Sequence, residues 1–311
     1  MRVVVLGASG FIGTGISRAL AARRVQLRLV ARRTPPIPVA AVAEVEVRAA
    51  DLRDGVAEHI ADADAVVHLV AYTDGGWRVA DGDKMAERVN VGLAADVVDA
   101  LRTRSTPPVV LFSGTETQVG LAERERIDGT EPDNPHSAYT RQKLATENLF
   151  KDATRDGVVR AVSLRLPTIY GEKGDRGVVS LMARKAFAGE PLTMWHDGTV
   201  RRDLVFADDV TSAFTAALDH ADALAGRHYV LGSGVGVPLR KVFELVAAEV
   251  AAVTGNPPVP VVSVEPPGHM EPTDLKSVEV DASAFHAVTG WTTRVGLEEG
   301  IRRTVAAVAG S

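Results

Sequence analysis

The stretch from Arg2 to Gly13, RVVVLGASGFIG, constrains the fold more than any other part of the chain. Arg2 to Leu6 is an almost unbroken apolar run, the pattern of a strand buried on both faces of a parallel sheet. Glycines follow at positions 7, 10 and 13, and Ile12 to Arg24 reads as a helix. Gly7 permits a sharp turn out of the strand. Gly10 lets the backbone approach a pyrophosphate with no Cβ in the way, and Gly13 lets the helix pack close to the sheet. The N–H groups at the helix start, helped by the helix dipole, then face the phosphates. Any tight strand-to-helix turn can use glycine, but this one follows a strand and opens a periodic helix, the context that marks a dinucleotide-binding unit. Phe11 and Ile12 belong to the same expected contact set.

Val25 to Arg32 reads as the second strand. Units specific for NAD end this strand with a carboxylate that binds the adenosine ribose. This chain has Ala31, Arg32 and Arg33 there. Two guanidinium groups suit a 2′-phosphate, with Ser9 adding a hydroxyl, so the expectation is NADP. The alternative is a pair of solvated arginines. Val45 to Leu52 is the third strand, its Asp51 and Leu52 flanking the adenine. Ala63 to Ala71 is the fourth. It carries His68 as a core or supporting histidine, with Leu69 and Ala71 beside the cofactor. The glycine-rich loop from Tyr72 to Asp83 follows, and Thr73 and Trp77 in it are candidate substrate contacts because open α/β sheets place ligands at the C-terminal ends of strands. A long helix is expected from about Lys84 to Arg104, including Asn90. Pro107 to Gly114 is the fifth strand.

Strands alternating with helices in this way predict an α/β fold, a Rossmann-type doubly wound parallel sheet. From Leu164 the order changes. A strand ends at Pro167, a helix follows from about Gly177 to Ala188, and Leu192 to Asp197 is a short strand. Arg202 to Phe206 is another strand and Asp208 to His220 another helix, while the stretch from Gly255 to Pro272 is loop or edge structure. The expected partition is a dinucleotide-binding domain over 1–167, with 202–235 returning to it, and a smaller interleaved C-terminal substrate lobe over 168–201 and 236–311.

Composition narrows the function. The 311 residues carry a net charge of −5 with mixed signs, which gives no reason to expect nucleic acid or a membrane as partner. The absence of cysteine excludes disulfides, cysteine nucleophiles and thiolate metal sites, and suits a reducing cytoplasm. The N-terminal apolar run is too short for a signal peptide and no stretch approaches a membrane span.

Tyr139 and Lys143 are four residues apart, hence on one face of a helix. Tyrosine in water has a pKa of about 10 and is a poor base. A neighbouring ammonium, together with an oxidised nicotinamide, is expected to favour the phenolate. Thr115, at a strand end, is placed to hydrogen-bond the same substrate oxygen. A Tyr-x-x-x-Lys pair alone is common on solvated helices; with the glycine turn and the strand-end hydroxyl it is specific.

GASGFIG (7–13), HLVA (68–71), NVG (90–92), FSGTETQVG (112–120), YTRQK (139–143), LRLPTIYG (164–171), RRDLVFADDV (201–210) and TGWTTRVGLEEGI (289–301) together resemble an extended short-chain dehydrogenase/reductase of the nucleotide-sugar epimerase and dehydratase family. The resemblance implies a catalytic set of Thr115, Tyr139 and Lys143, with Tyr139 and Lys143 also contacting the cofactor. It implies that Asn90 supports the active-site helix and that Leu166 and Thr168 lie near the nicotinamide. Family dehydratases have an Asp-Glu pair after the threonine. Here Glu116 is followed by Thr117, so one acid is missing and 4,6-dehydration is not expected. Arg202 matches the arginine that binds the nucleotide-sugar diphosphate, against the alternative of an ion pair with Asp203 or Asp208. Lys276 is a weaker second candidate. Val178, Val179, Leu192, Met194 and Trp195 match the segment packing on the base, against the alternative of plain core, with His196 beside Trp195.

Within the family the phrases ERVNVGL and GEPLTMWHDGTVRRDL are similar to those of NDP-hexose 4-ketoreductases of deoxysugar and antibiotic biosynthesis. The implied reaction is reduction by NADPH of a dTDP-4-keto-6-deoxyhexose, deoxygenated at C2 or epimerised, with no metal. A homodimer through the helices near 84–104 and 137–155 is a further implication of the family. Three rivals stay open: an epimerase retaining NAD, a sensor of NADP redox state without catalysis, and a reductase of small ketones.

Overall fold

The N-terminal apolar run forms β1 (Arg2–Leu6), in which Val3 to Leu6 are 0% exposed. A computed structural model describes residues 1–72, 79–195, 197–266 and 270–310. In chain order β1 is followed by α1 (Phe11–Ala21), β2 (Gln26–Ala31), β3 (Glu44–Ala49), α2 (Ala57–Ile60), β4 (Ala65–His68), α3 (Lys84–Glu87), α4 (Leu93–Leu101) and β5 (Val109–Thr115). Then come β6 (Arg126–Ile127), α5 (Ala138–Arg155), β7 (Arg160–Leu166), β8 (Thr168–Tyr170), α6 (Val178–Phe187), β9 (Leu192–Trp195) and β10 (Arg201–Phe206). The chain ends with α7 (Ala207–Asp219), α8 (Ala221–Leu224), β11 (Arg227–Val230), β12 (Gly236–Pro238), α9 (Leu239–Thr254), β13 (Val261–Val264), β14 (Glu279–Val280), α10 (Ser283–Thr289) and α11 (Leu297–Ala309).

Seven strands form one parallel sheet in the order β11-β7-β5-β4-β1-β2-β3. Side chains alternate across it, as the pleat requires. Val3 and Val5 pack with Ile16 and Leu20 of α1 and Val210 and Phe214 of α7, while Val4 and Leu6 pack on the opposite face with Val97 of α4 and Phe150 of α5. This is the expected doubly wound α/β architecture. The strand order reverses between β1 and β4, so a crevice opens outside their C-terminal ends, the usual ligand position in such sheets.

The helix expected over 84–104 is interrupted. Asp83 caps α3 by accepting from the N–H groups of Met85 and Ala86, and a π-helical turn over Arg88–Gly92 separates α3 from α4. The widened turn presents the Asn90 carbonyl to Thr146 Oγ1 of α5 at 2.6 Å.

Pro167 marks the second break. It donates no backbone hydrogen bond, and β7 ends before it while β8 begins after it. The chain thereby leaves the large sheet for a three-stranded one, β12-β10-β8. Of the stretch 202–235 expected to return to the first domain, α7 packs on α1 and β11 joins the large sheet, but β10 belongs to the three-stranded sheet. A separate core cluster links Tyr170, Val179, Met182 and Phe206 with Val242, Phe243 and Ile301 of α9 and α11. Within 255–272, β13 pairs with β9 as a small two-stranded sheet. No described helix is long and apolar enough to cross a membrane.

Candidate active site

The glycine turn leaves β1 at the centre of the crevice. Gly7 has φ +91°, a conformation that L side chains rarely adopt, and its N–H bonds Val30 O at 2.9 Å. A Cβ on Gly13 would collide with Gly7 O, so only glycine lets α1 start this close to the strand. Gly10 is the N-cap of α1, with no side chain bonded to the cap and no acidic residue in the first turn. A Cβ there would meet only Gly7 O, at 3.2 Å. An open backbone at a positive helix end fits a pyrophosphate. Ser9, Phe11 and Ile12 lie in this turn and the helix start, Leu69 packs on Gly7, and these residues and Ala71 are partly buried. Phe11 also reaches Gly171, where a Cβ would lie 3.0 Å from its ring.

At the adenosine end, β2 stops at Ala31, and Arg32 and Arg33 are exposed. Asp51 is occupied by Arg53, whose Nε bonds Oδ1 at 2.9 Å and Nη2 bonds Oδ2 at 2.5 Å. These bonds, with a smaller contribution from the Arg32 charge, hold the Asp51 carboxyl down at about 2. Arg53 is thus a third guanidinium at this end, one the sequence reading did not single out. Leu52 is sealed in the core beneath it.

The chemistry gathers on α5 and at the end of β5. Ser137 opens α5 with a capping box to Thr140, placing Tyr139 and Lys143 on its first turns. Lys143 Nζ donates to Ser113 O at 2.8 Å and lies 5.7 Å from the centroid of the Tyr139 ring. Burial lowers the Lys143 pKa to about 7. The expected lowering of the tyrosine pKa involves an oxidised nicotinamide as well as Lys143, and the protein groups around Tyr139 act the other way. Burial and then the neighbouring Glu116 carboxylate push Tyr139 up, because desolvation penalises the phenolate. Tyr139 therefore stands as a phenol, the form that gives a proton.

Thr115 ends β5. Its Oγ1 donates to Glu116 Oε2 at 3.2 Å and lies 2.9 Å from Thr117 Oγ1. Glu116 is buried and also accepts from the Thr117 N–H at 3.0 Å. Burial raises its carboxyl to about 7, opposed first by the Arg202 charge.

Asn90 is buried beside these residues. Its Oδ1 accepts from Tyr72 N and its Nδ2 donates to Gln142 Oε1, both at 2.7 Å, joining the β4 exit to α5. His68 is fully buried between the rings of Phe112 and Phe150, and desolvation holds it neutral, at about 3. Leu166 is in the core and Thr168 is partly buried on β8.

In the second lobe, Arg202 makes neither expected ion pair. Asp208 pairs with Arg303, and Asp203 accepts from the N–H groups of Ser233, Gly234 and Val280. Arg202 instead donates to the carbonyls of Thr273 at 3.2 Å, Asp274 at 2.6 Å and Lys276 at 2.5 Å. Val179, Leu192 and Met194 are sealed in the lobe's core, so the plain-core alternative describes them, whereas Val178 and Trp195 keep partial exposure. Thr73, Trp77 and His196 lie outside the described residues.

The glycine turn and the Thr115, Tyr139 and Lys143 cluster flank one crevice, which defines an enzyme of the Rossmann-type, NAD(P)-dependent class. Residues 3–232 match the NAD dependent epimerase/dehydratase family, and the chain belongs to that family. It is 27% identical to a dTDP-L-rhamnose 4-epimerase of Burkholderia thailandensis, over 96% of this chain and 93% of that one. It is likewise 27% identical to a dTDP-6-deoxy-L-talose 4-dehydrogenase (NAD(P)(+)) of Kitasatospora kifunensis, over 97% and 93%. Among solved structures, the UDP-glucose 4-epimerase of Thermus thermophilus, in complex with NAD, superimposes with a TM-score of 0.81 at 27% identity, over 100% of both chains.

Proposed function

We propose that this enzyme uses NADPH to reduce the C4 ketone of a dTDP-4-keto-6-deoxyhexose. The observation that carries the cofactor choice is the end of β2, where Ala31, Arg32 and Arg33 stand in place of a carboxylate and Asp51 is taken up by Arg53. Guanidinium groups there attract a 2′-phosphate. The substrate class rests on two relatives whose names place their chemistry at C4 of dTDP-linked 6-deoxy sugars or of their close kin.

When bound, NADPH supplies the hydride that reduces the carbonyl carbon. Tyr139 gives its phenolic proton to the oxygen, and Thr115 Oγ1 polarises that oxygen by turning its one hydroxyl proton from Glu116 to it. Lys143, anchored on Ser113 O, holds the cofactor ribose and stabilises the phenolate left behind. Gly7, Gly10 and Gly13 cradle the pyrophosphate, while Val178 and Trp195 wall the sugar nucleotide. Arg202 reaches the diphosphate by exchanging its carbonyl partners for phosphate oxygens. The lone carboxylate Glu116 without a second acid argues against dehydration. A homodimer in the cytoplasm belongs to the same proposal.

The test is NADPH oxidation, followed by absorbance, with dTDP-4-keto-6-deoxyglucose and its 2-deoxy and epimerised relatives. Turnover with NADPH is expected to exceed that with NADH. Arg32→Ala and Arg33→Ala should each raise KM for NADPH about tenfold, the worth of one charge-assisted contact, and leave KM for NADH unchanged. Equal use of both cofactors would sink the NADP assignment.

A second reading has equal support from the relatives: a nucleotide-sugar 4-epimerase, which passes hydride out and back at C4 on a retained NAD. Purification with bound NAD, and interconversion of C4 epimers with no added reductant, would establish it.

The Glu116 charge supplies a pH test. Reduction needs the Tyr139 proton, so kcat/KM holds below the tyrosine pKa and falls as pH rises through it. Glu116 is one of the two causes holding that pKa up. Glu116→Gln should therefore move the alkaline limb of the profile to lower pH. A limb that stays in place would remove Glu116 from the site.

A further inference from the structure

Gln118 lies just past Thr115, has no exposed surface, and joins two parts of the site by both ends of its amide. Its Oε1 accepts from the Thr115 N–H at 3.0 Å, and its Nε2 donates to Glu147 Oε2 at 3.1 Å. Glu147 is on α5, eight residues beyond Tyr139, roughly 12 Å along the axis. Its carboxylate is fixed from several sides. Arg165 of β7 bonds it through Nε at 3.0 Å and Nη2 at 2.7 Å, Ser163 Oγ at 2.8 Å and Lys151 Nζ at 2.6 Å. His228 of β11 faces it at 3.2 Å, and Asp133 pairs with the far side of Arg165 at 2.7 Å. Glu147 and Arg165 are themselves fully buried. Gly114 packs directly on this assembly, and a Cβ there would meet Gln118 Oε1 at 3.0 Å and Ser163 Oγ at 3.1 Å.

We propose that Gln118 is a positioning residue, which locks the backbone of Thr115 to the helix carrying Tyr139 so that the two hydroxyls converge on one substrate oxygen. The reason is geometric. Thr115 is the last residue of β5, and among the described residues its hydroxyl hydrogen-bonds its neighbours Glu116 and Thr117. Its backbone pairs with Leu166 of β7, and its N–H is held by the Gln118 amide, which reaches α5 through Glu147. A displacement of about 1 Å in a reacting group costs on the order of 10²-fold in rate. The buried ion pair beneath Gln118 provides a rigid anchor, because moving it would uncover unpaired charge.

This inference rests on reading Thr115 and Tyr139 as the pair that meets the carbonyl oxygen, so its test carries a readout independent of turnover. Gln118→Met keeps length and volume and removes both hydrogen bonds. Amide hydrogen exchange should show the Thr115 N–H exchanging about tenfold faster than in the wild type, the loss of one net hydrogen bond. In the ketone assay kcat should fall at least tenfold, as about 1 Å of slack implies, with KM for NADPH within about twofold. Gln118→Glu adds a pH signature that simple volume filling would not give. Its carboxyl faces Glu147 and Lys151 from α5, Arg165 from β7 and His228 from β11, with Asp133 behind Arg165. The Glu147 carboxylate, in hydrogen-bond range, forces the pair to share a proton. When protonated, the new carboxyl donates to Glu147 and accepts from Thr115, restoring the wild-type pattern; when ionised it repels Glu147. The activity of Gln118→Glu should thus approach wild type in mild acid and drop as pH rises, where the wild type does not. Unchanged Thr115 exchange in Gln118→Met overturns the proposal whatever the reaction is. Altered exchange with unchanged kcat overturns the positioning role, and a wild type with no ketone turnover refutes the functional reading separately.

Discussion

Tyr139→Phe is expected to lower kcat for ketone reduction by about 10²–10⁴, the usual contribution of a positioned general acid. Phenylalanine keeps the ring that faces the Lys143 ammonium and deletes only the hydroxyl. Cofactor and sugar nucleotide should therefore bind as before, and KM should change little. The loss would fall on kcat and kcat/KM together, as happens when an interaction made in the transition state is removed. The structure adds a directional point. Burial and Glu116 raise the Tyr139 pKa, so at neutral pH the wild type starts as phenol. That state suits proton donation and opposes the reverse reaction, which needs the phenolate. An alcohol oxidation assay should gain more from high pH than the reduction does, and Tyr139→Phe should abolish that gain. A mutant retaining more than a tenth of wild-type kcat would show that another group delivers the proton. Glu116 would be the first candidate, since its carboxyl is itself raised to about 7.

Much of this architecture was legible because it is local. The apolar run of β1 and the spacing of Gly7, Gly10 and Gly13 dictate a strand, a tight turn and a helix, each within one short segment. The Tyr139 and Lys143 pair was equally legible, because four-residue spacing on a helix fixes a common face. What escaped depends on distant partners. The π-helical turn at Asn90 sits where that residue bonds Tyr72, Gln142 and Thr146, none adjacent in sequence. The fate of Arg202 turns on the carbonyls of residues more than 70 positions away. The upward push on Tyr139 comes first from its burial, which residue spacing conceals while it reveals the lysine neighbour. One signal was available and unread. Tyr139, Lys143, Glu147 and Lys151 recur every four residues, a stripe that winds about 40° per step around α5 from the chemistry to the buried anchor.

That anchor carries the largest expected effect on stability. Glu147→Ala should destabilise the fold by about 3–5 kcal/mol, because it strands the fully buried Arg165 without its bidentate partner. The figure describes breaking the pair; keeping it contributes far less, since both ions were first stripped of water. Replacing both partners, as Glu147→Leu with Arg165→Met, should accordingly recover most of the loss. Urea midpoints for the two single mutants and the double mutant separate these cases. If the double mutant is no more stable than Glu147→Ala, the pair is not the source of the effect. The pH dependence has a defined sign. Burial pushes the Glu147 carboxyl up, but hydrogen bonds from His228 and Arg165 outweigh it and hold the group well below its ordinary range. Such a group contributes stability above its unfolded pKa of about 4.3 and loses it as pH falls toward the folded value. Wild type should therefore lose stability on acidification below about pH 4.3 more steeply than Glu147→Gln, and the two curves should converge in acid. Parallel curves would mean that the Glu147 carboxyl titrates alike in the folded and unfolded states, and the buried pair would then add no charge stabilisation to the anchor beneath Gln118.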